Sequence, residues 1–89
     1  MGKRIEAGEL IELRYSRLCI ALTVGGKQYG MVSRGRGSYS ERLIERGTKA
    51  LVTGREWNDA WGLMVKFILP ETGDEYAVYS GWVRRVKEQ

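Results

Sequence analysis

Period-two alternation broken by glycine is the feature that most limits what this chain can become. Leu18, Ile20, Leu22 and Val24 fall on one side of an extended segment, with Cys19 and Ala21 on the other. Gly25-Gly26 follows, and a second alternating run resumes over residues 28–32. Paired glycines between alternating runs predict a hairpin, because primed turns need positive φ at their centre. The pattern recurs. Residues 9–15 are rich in β-formers and put Ile11, Leu13 and Tyr15 on one face, and residues 48–53, 63–69, 75–79 and 82–86 read as further strands. Pro70-Glu71-Thr72-Gly73-Asp74 has turn chemistry, and residues 54–62 read as a polar hairpin loop holding Trp57 and Trp61.

One helix is expected, at residues 40–46. Ser38 stands three residues before Glu41 as in a capping box, Leu43-Ile44 gives a short apolar stripe, and Gly47 is placed to end the helix in the left-handed conformation. Six or seven short strands, one helical turn and twelve glycines in 89 residues predict a single all-β domain, a small antiparallel barrel.

From Val32 onward the order of signals resembles the bacterial SH3-like domain. The matching pieces are Ser33-Arg34-Gly35, Gly47-Thr48-Lys49, Trp61 before residues 63–65, and Gly81-Trp82-Val83. The resemblance implies an SH3-like barrel core over residues 31–86, with residues 1–30 added as an N-terminal extension hairpin. It also implies a cell-wall glycan or peptide as one class of ligand. The family usually has a proline after its Arg-x-Gly pattern, where this chain has Arg36-Gly37.

Charge is concentrated in one stretch. Residues 27–49 hold Lys27, Arg34, Arg36, Arg42, Arg46 and Lys49 against Glu41 and Glu45, so this segment carries the whole chain's net +4. At its centre, Arg34-Gly35-Arg36-Gly37-Ser38-Tyr39 alternates cations with glycines and ends on an aromatic. Arginine supplies a fork of donors, and glycine lets backbone N–H groups turn toward an anion. The leading expectation is a non-catalytic module that binds nucleic acid or another polyanion. Lys27, Arg34, Arg36 and Lys49 would neutralise phosphates, and Tyr29 and Tyr39 would offer stacking faces. Arg42 and Arg46 alternate with Glu41 and Glu45 and read as a solvated face. The alternative is a protein-binding adaptor or inhibitor that uses an exposed loop of Glu56, Trp57 and Asp59, or a sheet edge.

The chain has no histidine and one cysteine, Cys19. Acyl transfer then lacks its usual base, a thiolate zinc site cannot form, and neither Walker nor dinucleotide fingerprints occur, so no catalysis, metal or cofactor is expected. No stretch is long and apolar enough for a membrane span, and residues 1–9 lack the apolar core of a signal peptide. A cytoplasmic, reducing compartment is expected. Arg84, Arg85 and Lys87 read as charges protecting an edge strand, and the β-rich edges are compatible with a homodimer.

Overall fold

The computed structural model describes residues 5–29 and 40–86. Eight strands run β1 (Leu10–Leu13), β2 (Arg17–Val24), β3 (Lys27–Gln28), β4 (Glu41–Ile44), β5 (Lys49–Asn58), β6 (Gly62–Ile68), β7 (Glu75–Tyr79) and β8 (Val83–Arg85). All pairings are antiparallel, in the order β3-β2-β7-β6-β5-β1-β8, with β4 also on β2. A single 3-10 turn, Ser80–Trp82, is the one helical element among the described residues.

The sheet curls around one core. Ile44 of β4 and Val83 of β8, from opposite ends of the strand order, share a buried cluster with Ile11, Leu13, Cys19, Ala21, Val52, Val65, Phe67, Tyr76 and Val78. This gives the all-β, barrel-like architecture expected from the alternation. Cys19 and Ala21 face that core, while Ile20 joins Met64 and Ala77 in a second cluster on the other face. The two-faced burial of β2 is what its unbroken apolar run required.

Gly25 and Gly26 sit at φ 60° and 83° and turn β2 into β3, with Val24 opposite Lys27 and Thr23 opposite Gln28. The hairpin is shorter than expected: β3 ends at Gln28, and residues 30–32 lie outside the described part. Residues 5–29 also hold a different place from the appended hairpin of the sequence reading. β1 lies between β5 and β8, and β2 lies between β3 and β7, so both are interior to the sheet.

The helix expected at 40–46 is a strand. Glu41–Ile44 pairs with β2, from Arg17 opposite Ile44 to Ile20 opposite Glu41. One helical turn would fix several dihedrals for a single hydrogen bond. The extended form instead gains a ladder with β2 and buries Ile44, which is 4% exposed. Gly47 does take positive φ, at 86°, but it serves the turn into β5, where its N–H donates to the Leu13 carbonyl at 2.9 Å. Residues 54–58 also extend β5 beyond the loop expected there. A register shift between Val52 and Gly54 lets the strand continue to Asn58. Buried Asn58 then organises the tip: its Oδ1 accepts from the N–H groups of Ala60 and Trp61 at 2.8 and 3.0 Å.

Candidate nucleic-acid interface

Two pieces of the basic segment, β3 and β4, pair with β2 and form one edge of the sheet. Tyr29 N–H donates to the Leu22 carbonyl at 2.7 Å, and Ala21 N–H donates to the Ser40 carbonyl at 2.8 Å. Chain leaving β3 and chain entering β4 are therefore held side by side against β2, with residues 30–39 connecting them in sequence. Arg34, Arg36 and Tyr39 belong to that connection and lie outside the described residues.

Of the remaining expected contacts, Lys27 and Tyr29 are brought together. The Lys27 ammonium sits 5.3 Å from the Tyr29 ring centroid, and the half-buried ring packs against the main core. A cation over an aromatic face is a stable arrangement, and it leaves Tyr29 acting as a support for Lys27. Lys49 begins β5, separated from β3 by three intervening strands in the sheet order, and its Nζ lies 3.7 Å from Glu12 Oε1. Glu12 also accepts from Arg84 Nε at 2.7 Å. The Arg84 hydrogen bond, aided by the charges of Arg84 and Lys49, holds the Glu12 carboxyl below the usual carboxylate range.

Arg42 projects from β4 and donates through Nη1 to the Tyr76 hydroxyl at 3.1 Å, which raises its pKa further. It is anchored to a core tyrosine instead of pairing within a helix. On β8, at the end of the strand order, Arg84 pairs with Glu12 and Arg85 Nε donates to Glu9 Oε1, while Lys87 lies outside the described residues.

A second basic cluster was not anticipated from the sequence. The Arg14 and Arg17 guanidinium carbons lie 5.6 and 5.3 Å from the Tyr15 ring centroid, and Arg17 also lies 4.5 Å from the Trp82 ring. Arg46 N–H donates to Ser16 Oγ at 2.9 Å, which ties the end of the β4 edge to this turn. Among the described residues, no carboxylate forms an ion pair with Arg14, Arg17 or Arg46. A guanidinium stacked through its face keeps its in-plane N–H edge for an oxyanion. The signal was the run Arg14-Tyr15-Ser16-Arg17, where Tyr15 reads as a strand residue continuing Leu13 although the strand ends before it.

Arg17 and Trp82 also line a groove of about 670 Å³ on the second face of the sheet. Its buried floor is Ile20, Met64 and Ala77, and exposed Leu18 and Leu43 stand opposite each other across β2 and β4. Trp61 and Tyr79 complete the lining, with Tyr79 edge-on to Trp82 at 5.8 Å between ring centroids. Glu41 and Ser16 are its other polar members.

The residues of the alternative site lie elsewhere. Trp57 is 68% exposed near the end of β5, outside the groove lining, and donates through Nε1 to Asp59 Oδ1 at 3.3 Å. Glu56 pairs with Lys66 at 3.6 Å. Cys19 is fully buried, and burial pushes its thiol up to about 12. Among the described residues, no helix is long and apolar enough to cross a membrane. No protein-family model, curated protein or solved structure matches this chain.

Proposed function

We propose that this protein is a non-catalytic binding module that grips a polyanion, nucleic acid foremost, along its β3–β4 edge. One observation supports the reading: β3 and β4, which carry Lys27 and Arg42 with Glu41 as the one acid, both pair with the same side of the sheet at β2, from Lys27 beside Val24 to Ile44 beside Arg17. The β2 residues Arg17–Val24 that this edge covers are separated by seven steps of ~3.3 Å, so the edge is roughly 23 Å long. The edge then meets Arg14 and Arg17 through the Arg46–Ser16 bond. Cations spaced on that scale would meet successive phosphates, which position a nucleic acid without reading its sequence. Arg34 and Arg36 enter this proposal from the sequence alone, as does a cytoplasmic location. The SH3-like resemblance stays part of it as a fold analogy, which supplies no ligand.

Charge reversal tests the edge directly. The variant carrying Lys27→Glu, Arg34→Glu and Arg36→Glu is expected to lose at least about tenfold in affinity for short oligonucleotides, with its thermal melt unchanged. Parental affinity in that variant would remove the edge from the account.

Exposed Trp57 favours a second reading, a protein partner held at the β5 tip, because a rigid aromatic at a rim is a common anchor. Trp57→Ala would then abolish partner capture and leave oligonucleotide binding intact.

A further inference from the structure

We propose that the groove beside Arg17 receives unpaired nucleobases, so that the ligand of this protein is a single-stranded nucleic acid. The inference rests on the polyanion reading and sharpens it. Three observations meet at the groove.

The first is its mouth. Arg17 lines the groove while its guanidinium carbon lies 4.5 Å from the Trp82 ring and 5.3 Å from the Tyr15 ring, and Arg14 flanks the same tyrosine. Among the described residues no ion pair joins either arginine to a carboxylate, and guanidinium N–H groups suit phosphate oxygens. The second is the lining beyond that mouth. Trp61, Tyr79 and Trp82 stand around the buried Ile20, Met64 and Ala77, in a volume of about 670 Å³. Base faces are flat, apolar and polarisable, and they suit such walls. The third is continuity: Leu43 and Glu41 belong to β4, the strand that also carries Arg42, and β4 pairs directly with Arg17's strand. Glu41 is the one carboxylate among the described lining residues. Phosphates outside and bases inside is the geometry of single-strand recognition. A duplex keeps its bases stacked and paired, out of reach of the recess.

The test uses the full chain, nuclease-treated, in a Trp57→Phe background so that tryptophan emission reports on Trp61 and Trp82. The probes are a 12-nucleotide single strand, its duplex, and inorganic polyphosphate. We expect the single strand to quench emission and to bind at least about fivefold more tightly than the duplex. Leu43→Ser, at a position 57% exposed, is expected to weaken single-strand binding at least about fivefold and to leave polyphosphate binding within about twofold. Arg17→Gln is expected to weaken both. Equal affinity for strand and duplex, without quenching and with Leu43→Ser like the parent, would overturn the groove assignment and leave the polyanion reading standing. Absence of binding to all three probes would instead remove the polyanion reading, and the groove assignment with it. A dimer in sedimentation that shields Trp61 and Trp82 before any probe is added would mean that a second copy fills the groove, and would also overturn it. Should Leu43→Ser fail to fold, the quenching and strand preference of the Trp57→Phe protein decide alone.

Discussion

Cys19 shows at the scale of one residue how burial sets chemistry. Its thiol is enclosed among Ala21, Val52 and other core side chains, and its pKa is pushed up to about 12 by loss of solvation. The folded protein is therefore expected to resist thiol-specific reagents at pH 8 and to react on addition of denaturant, which a colorimetric thiol assay measures. The unfolded thiol ionises near pH 8.5, so the folded state binds the extra proton and stability falls as pH rises from there toward 12. Glu12 works in the opposite sense. Arg84 and Lys49 hold its folded pKa below the unfolded value of about 4.3, so its contribution is complete above that value and is lost as pH falls through the folded pKa. Thermal melts of Glu12→Gln and the parent should differ at pH 7 and converge at strongly acid pH. At this scale the sequence was partly legible. The facing of Cys19 and Ala21 followed from period two, whereas the placing of Arg17 was hidden because its partner, Trp82, is sixty-five residues away.

At the scale of the element, β4 is the instructive case. Its sequence carries helix signals at both ends, yet four residues in extended form dock on β2 and bury Ile44 in the main core. Local capping chemistry is worth about 1 kcal/mol, less than the burial of one branched aliphatic side chain with its ladder. Ile44→Ala should accordingly destabilise the fold by about 2–4 kcal/mol, read from a denaturant midpoint. A loss under about 0.5 kcal/mol would contradict the docking of β4. The turns were more legible than β4, since Gly25-Gly26 demands positive φ and takes it. Substituting Gly26 with Val should cost about 1–2 kcal/mol through backbone strain, measured the same way. The bulge that carries β5 through Gly54 left no such mark, because register is settled by the β6 partner across the sheet.

Taken as a whole molecule, the protein separates its charge from its core. The curled sheet places its buried apolar residues in two clusters, while Lys27 and Arg42 lie on the β3–β4 edge and Arg14 and Arg17 flank the adjoining turn. Architecture was legible in the sequence because alternation and glycine spacing are local properties. The candidate site was legible only as a charge imbalance, because strand order decides which cations become neighbours. Lys49, expected in the site, is instead paired with Glu12 on β1. The measurement that bears most directly on the central claim is the affinity of the nuclease-treated protein for short oligonucleotides at graded salt concentrations. The account predicts that log affinity falls linearly with log salt, with a slope of about −0.7 for each phosphate neutralised on a single strand. Absence of binding at low salt, or an affinity indifferent to salt, would contradict it.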